Sequence, residues 1–302
     1  MGSGWILGFE SPFVQDCCAH GAYAGAQGQQ LQAGVMVNIV RGFVAPLRDL
    51  WRIERSKLRI GIKIMELTPD NRKIAQDALT WAKKKGTKKA IARRLTDQSL
   101  YLPEEDPVSV FMAGSPGAGK TESSKELIDQ FPDNPILRID ADELRVEFDQ
   151  YDGCNSHLFQ SAVSVIVEYI HDMALKQSQS FIMDGTLHNE DKAKDNITRS
   201  LSRGRVVQVL YVYQDPLRAW EFVQARERLE GRRILPVNFI EQFFAARATV
   251  NALKAHFGAD IKVDLLIKDY SNRTRVYEAN IDRIDYYVDH EYSRESLTQL
   301  IT

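Results

Sequence analysis

Three cysteines in 302 residues, Cys17, Cys18 and Cys154, are too few and too oddly numbered for a disulfide framework. No CxxC pair or Cys/His cluster has zinc spacing. A reducing cytoplasm is the natural compartment for such a chain. No apolar run reaches the roughly 18 residues of a membrane helix, so no membrane partner is expected. The stretch from Met1 to Phe13 has no Lys or Arg, unlike a signal peptide. Ile6 stands where a myristoylation site carries Ser or Thr. The chain therefore reads as soluble and unanchored. With 44% hydrophobic and 26% charged residues it is neither fibrous nor largely disordered.

Charge is unevenly shared along the chain. Residues 1–100 carry a net +8, and residues 101–302 carry −10. A basic arm ahead of an acidic body suits either a nucleic-acid contact or two parts that attract each other. The arm begins with 35 residues that hold seven Gly and two charges and have no sustained period, which predicts a poorly ordered stretch or an upstream leader before Met36. Residues 36–97 read as a basic helical segment. A short amphipathic helix fits 47–58. From 68 to 96 a helical hairpin is expected: Thr68 as cap, Pro69 in the first turn, an apolar stripe of Ile74, Ala75, Ala78, Leu79 and Ala82, and Gly86 as the stop before a helix capped by Thr87. Residues 98–107, with Pro103, Pro107 and three acids, read as a linker.

From 108 to 302 the pattern becomes strand, helix, strand. Strands are expected at 108–113, 136–139, 180–183, 206–212 and 263–267. Helices are expected at 121–130, 157–176, 190–202, 216–229 and 237–256. This alternation predicts an α/β fold, a parallel sheet sandwiched by helices. Residues 275–302 have no clear pattern.

Gly114-Ser115-Pro116-Gly117-Ala118-Gly119-Lys120-Thr121 fits G-x-x-x-x-G-K-[ST], between an apolar strand and a helix. Glycines let backbone N–H groups approach phosphate oxygens, and the helix N-terminus adds positive charge. Lys120 is expected on the β- and γ-phosphates, Thr121 on Mg²⁺, and Glu122 in the same first turn. A nucleotide is thus the expected ligand. Asp140 and Asp142 close the second expected strand and Asp184 closes the third, where ligands bind in open α/β sheets. A carboxylate there can take the proton of an attacking hydroxyl, or it can cap a helix. Arg226, Arg228, Arg232 and Arg233 surround Gly231, as in a mobile lid that covers the γ-phosphate. The plainer reading is a solvated helix face paired with Glu227 and Glu230. The seven Lys/Arg of 83–94 suggest nucleic acid. Only Trp81 is available to stack nearby, so a solvated helix end or docking on the acidic body is preferred.

The ordered set of P-loop, Ile139–Arg145 (strand-Asp-x-Asp-x-x-Arg), Asp184–Thr186 and a lid segment ending Arg-x-x-Pro (Arg226, Arg233, Pro236) resembles the zeta toxin family of P-loop kinases over roughly 108–255. The resemblance implies transfer of the γ-phosphate of ATP to the 3′-hydroxyl of the amino sugar of UDP-N-acetylglucosamine, which poisons cell-wall synthesis. By position, Asp142 looks like the catalytic base. Lys120, Arg226 and Arg233 look like the phosphate clamp, and Arg145, Asp184, Thr186 and His188 like acceptor contacts. Asp184 replaces the Glu, and His188 the Arg, of the best-known members, and both changes bear on the acceptor. In the two-gene systems a separate helical antitoxin covers the ATP site. The basic segment at 36–97 suggests a built-in counterpart. Two other readings remain: a P-loop kinase of an antibiotic, NAD or a nucleic-acid end, and an ATP-gated nucleic-acid-binding regulator reading through 68–96.

Overall fold

A computed structural model describes residues 67–288 and 292–301. The leader-like stretch 1–35 and the helix expected at 47–58 lie outside the described residues. Everything described belongs to one unit that begins at Glu66.

The first two helices, α1 (Pro69–Lys83) and α2 (Lys85–Leu95), form the expected hairpin. Thr68 caps α1, its hydroxyl accepting from the Asn71 amide at 3.2 Å. The break falls at Lys84, whose ψ of 128° is extended. Gly86 therefore does not stop α1 but sits in the first turn of α2, and Thr87 does not cap it. Packing decides this. A break at Lys84 lets Ala78 and Ala82 from one helix, and Ile91 and Ala92 from the other, enter the same core cluster. Trp81 meets Phe148 edge-on at 5.1 Å rather than standing free to stack on a base.

The stretch 98–107, read as a linker, is fastened beside the start of the strand at Phe181–Asp184. The Gln179 side-chain amide donates to the carbonyls of Thr96 at 3.1 Å and Tyr101 at 2.7 Å. The Ser180 hydroxyl donates to Glu104 at 2.8 Å. Pinned backbone and buried alanines make the hairpin part of the same folded body as the sheet.

The body contains β1 (Val108–Ala113), α3 (Lys120–Ile128), β2 (Leu137–Asp140), α4 (Gln160–Lys176), β3 (Phe181–Asp184), α5 (Glu190–Leu201) and β4 (Val206–Tyr213). Then follow α6 (Pro216–Glu230), α7 (Pro236–Phe257), β5 (Ile261–Lys268), β6 (Thr274–Glu278) and α8 (Arg294–Ile301). The sheet order is β2-β3-β1-β4-β5-β6, parallel except for the antiparallel β6. The helix expected from 157 starts instead as a 3-10 turn at Ser156–Phe159.

Strand alternation sorts the core into two layers. Phe111 and Ala113 face α4, α7 and the hairpin, with Tyr211, Val209 and Leu265. Val110 and Met112 face α3, with Ile182, Leu210 and Val212. Helices thus cover both faces, as the sequence pattern predicts. A third cluster of Trp220, Val223, Phe239, Phe243 and Leu297 clamps α6 to α7 and α8, fixing the base of the arginine-bearing helix end. Among the described residues, no helix is long and apolar enough to cross a membrane.

Candidate active site

The central strand β1 ends at the Gly-rich loop, with β3 on one side and β4 on the other. That is where the crossovers diverge and an open α/β sheet leaves a crevice. A Cβ on Gly114, at φ +136°, would lie 2.3 Å from the Val212 carbonyl oxygen, and one on Gly117, at φ +72°, 2.2 Å from that of Ala219. Only glycine fits either position. Ser115 and Ala118 of the loop are buried, and the Lys120 ammonium donates to the Ser115 carbonyl at 2.7 Å. Lys120 is thus curled back over the loop. Burial pushes its pKa down to about 8, with Asp184 and Asp142 opposing and Arg232 and Arg226 adding to the fall.

A cleft of about 610 Å³ opens in front of this loop. Pro116, Gly117, Gly119, Lys120, Thr121, Glu122, Asp142, Arg145, Asp184, Thr186, His188, Arg226 and Arg233 line it, whereas Gly114, Ser115 and Ala118 of the loop and Arg228 of the lid do not. Asp140, Gln160, Arg232 and Asn272 join them.

Three carboxylates stand at the ends of β2 and β3, spaced by guanidinium groups. Arg138 donates to Asp184 at 2.6 Å and to Glu143 at 2.6 Å, and also binds Asp140. The Ser124 hydroxyl of α3 adds a bond to Asp184 at 3.1 Å. Residues 138 and 140 alternate onto the same face of β2, so the strand itself brings this pair together. Asp140 accepts from the Asp142 amide at 2.7 Å. Burial, then Asp142 and Asp184, push the Asp140 carboxyl up to about 6.

Asp142 is held differently. Arg145 binds one carboxylate oxygen and Arg232 the other. Against the upward push of burial, these two cations hold it below the usual carboxylate range. Arg145 is itself fixed, donating to Gln160 of α4 at 3.0 Å. His188 pairs with the Thr186 hydroxyl, and burial, then Lys120, push its pKa down, favouring a neutral ring.

The lid arginines divide. The Arg226 side chain is 43% exposed and lies 3.5 Å from Glu230, and that of Arg233 is 68% exposed and lies 3.6 Å from Glu227. Both line the cleft mouth while paired on their own helix end. Arg232, at 18%, is the one that reaches the carboxylates. Sequence reading named Arg232 only as part of the lid and missed Arg138 and Gln160. The i, i+2 spacing of Arg138 and Asp140 on a strand was a usable signal, whereas Gln160 left none.

The donors in the cleft suit their expected ligands. The glycine backbone and Lys120 suit a triphosphate. Thr121, in the first turn of α3, presents oxygen chemistry to a hard cation such as Mg²⁺, which takes oxygen ligands and phosphates together. Among the described residues, no three or more His, Cys, Asp or Glu are grouped to hold a metal alone.

A glycine cradle on the central strand, carboxylates beyond two neighbouring strands and an arginine-rich helix end opposite them define a P-loop kinase-type fold. The zeta toxin family model matches residues 91–282, and the chain belongs to the zeta toxin family. A structure from the PezAT chromosomal toxin-antitoxin system of Streptococcus pneumoniae shares the fold at 16% identity. The alignment covers 72% of this chain and 94% of that one, with a TM-score of 0.54. The AvrRxo1-ORF1:AvrRxo1-ORF2 structure with sulphate ions aligns at 14% identity over 72% of each chain, with a TM-score of 0.49. A comparison with curated proteins gives no match.

Proposed function

We propose that this member of the zeta toxin family is an ATP-dependent phosphotransferase whose acceptor is a sugar hydroxyl, that of the amino sugar of UDP-N-acetylglucosamine being the first candidate. The single observation that carries the reading is the convergence of the P-loop, Asp142 and the lid arginines on one cleft. Bound ATP and Mg²⁺ supply the transferable phosphoryl group and screen its charge. The chain's part is positioning and electrostatics. The glycine loop and Lys120 hold the phosphates, and Thr121 holds the cation. Asp142 accepts the proton of the attacking hydroxyl as the new O–P bond forms and the bond to the leaving diphosphate breaks. Arg226 and Arg233 close on the phosphates when the lid moves. Arg145, Asp184, Thr186 and His188 contact the acceptor.

One observation favours a second acceptor. His188 is held toward the neutral form, so it offers a hydrogen bond where the better-known members place a cationic arginine. A less anionic hydroxyl acceptor, such as an antibiotic, fits that change. Incubation of the full chain with ATP, Mg²⁺ and UDP-N-acetylglucosamine, followed by mass spectrometry of the sugar, tests the reading. A phosphorylated nucleotide sugar supports it. ATP binding without such a product moves the assignment to the second acceptor class.

The inhibitory role expected of 36–97 is narrowed. The hairpin of 69–95 packs into the core through Ala78, Ala82, Ile91 and Ala92, and no residue from 67 to 107 lines the cleft. The inhibition proposed for the chain's own basic segment is assigned to residues 36–66. Activity that rises when residues 1–66 are removed supports it, and unchanged activity rejects it.

A further inference from the structure

One wall of the cleft carries polar groups that no step of the transfer uses. It is built by the first two turns of α7. Asn238 and Gln242, four residues apart on that helix, both line the cleft. Their neighbours Phe239, Ile240 and Phe243 are buried with Trp220, Val223 and Leu297, which fixes the roll of the helix. Glu241, the other polar residue of this stretch, pairs instead with Arg294 of α8.

The direction of that wall follows from helix geometry. At 3.6 residues per turn, Asn238, Gln242 and Thr249 fall within about 40° of one another on α7. The Thr249 hydroxyl donates to the His188 carbonyl at 3.4 Å, so this stripe faces the loop that follows β3. It runs on the side of the P-loop that holds Thr186 and His188, whereas Asn272, between β5 and β6, lines the opposite side. At 1.5 Å per residue, Gln242 and Asn238 stand about 10 Å and 16 Å along the helix from Thr249. That is the reach of a second ring beyond one seated at Thr186 and His188.

The chemistry of the wall narrows what such a ring carries. The arginines of the cleft are matched by carboxylates: Arg145 and Arg232 by Asp142, Arg226 by Glu230 and Arg233 by Glu227. The carboxamides of Asn238 and Gln242 have no partner among the described residues. A carboxamide is neutral and presents acceptor and donors in one plane. It matches an amide edge of the same kind and brings no charge to a phosphate.

We propose that Asn238 and Gln242 determine acceptor specificity: their carboxamides read an uncharged amide edge at the end of the acceptor remote from the reacting hydroxyl, which in a uridine nucleotide sugar is the uracil ring. The assignment rests on the sugar-hydroxyl reading above and deepens it. Contacts to a part of the acceptor that does not react hold ground state and transition state alike, so they act on KM rather than kcat.

The test is steady-state kinetics of the full chain with two acceptors, UDP-N-acetylglucosamine and N-acetylglucosamine 1-phosphate, which lacks the nucleoside. Wild type is compared with Asn238→Ala and Gln242→Ala. Each variant should raise KM for the nucleotide sugar roughly 3- to 10-fold, the loss of one neutral hydrogen bond, with kcat and the KM for ATP within about twofold of wild type. The KM of the 1-phosphate, or its inhibition constant if it is not turned over, should stay unchanged, so the preference for the full nucleotide sugar narrows. An unchanged KM for the nucleotide sugar overturns the assignment. So does a loss shared by both acceptors and ATP, which is the mark of a residue that only supports the helix. A wild type that transfers phosphate to neither acceptor overturns the sugar-hydroxyl reading, and this assignment falls with it.

Discussion

Replacing Arg138 by methionine keeps much of the side-chain volume and deletes the charge between Asp140 and Asp184. All three side chains are at most 10% exposed in the wild type. Two carboxylates then face each other in a buried site with Asp142 close behind. Breaking a buried ion pair by removing one partner costs about 3–5 kcal/mol. In a folded unit of this size each kcal/mol moves the midpoint by about 2–4 °C, so the variant should melt about 6–20 °C lower near neutral pH. The sign with pH is fixed. The Asp140 carboxyl already sits at about 6 in the fold, above its unfolded value of 3.8, so the folded state favours its proton. Without Arg138 that pKa rises further. The stability deficit should be full above the new pKa and should shrink as pH falls toward about 5, where a proton replaces the lost guanidinium. Circular-dichroism melts of both proteins across that range measure it. A deficit under about 1 kcal/mol at high pH, or one flat with pH, would refute the claim that Arg138 neutralises this pair.

Three further outcomes are expected. Gly114→Ala places a Cβ 2.3 Å from the Val212 carbonyl, so nucleotide affinity measured by calorimetry should collapse, and near-native affinity would contradict the cradle geometry. His171 is fully buried against Phe111 and Phe181, and burial, then Arg199, push it down to about 3 from 6.5. The neutral ring's contribution is present above the unfolded pKa of 6.5 and is lost as pH falls toward the folded value, so His171→Leu should flatten the acid-side loss of stability in chemical denaturation, and parallel curves would exclude this role. A chain beginning at residue 67 should melt like the full chain, whereas one beginning at residue 98 loses Ala78, Ala82, Ile91 and Ala92 from the core and should fail to fold cooperatively. Equal melting of the two truncations would show that the hairpin is dispensable.

The sequence carried the sheet and the cleft because local rules and tertiary packing agree there. An apolar strand, a glycine loop and a capped helix must follow one another for a phosphate cradle to form, and their order places Lys120 and Thr121. Acids at strand ends likewise fall beyond the sheet whatever covers its faces. The hairpin boundary was misjudged because Gly86 is only a local signal. Burying the alanines of α1 and α2 together requires the break two residues earlier, at Lys84. The reading of 98–107 as a linker left out its tie to the sheet for a related reason. Proline and acid content says nothing about a distant Gln179 that fastens the segment. The lid showed the limit most clearly: four arginines around Gly231 look alike in sequence, and only the three-dimensional path after the hinge singles out Arg232 as the partner of Asp142. The edge strand β6 and helix α8 were missed because β6 is half-exposed and α8 is short.

The most direct test of the central claim is the turnover of Asp142→Asn at saturating ATP and acceptor, with ATP affinity measured on the same protein. If Asp142 takes the hydroxyl proton, turnover should fall by roughly 10²–10⁴ while ATP affinity stays close to wild type. Turnover within a few-fold of wild type, with ATP still bound, would contradict the assignment of Asp142 as the base of a phosphoryl-transfer site.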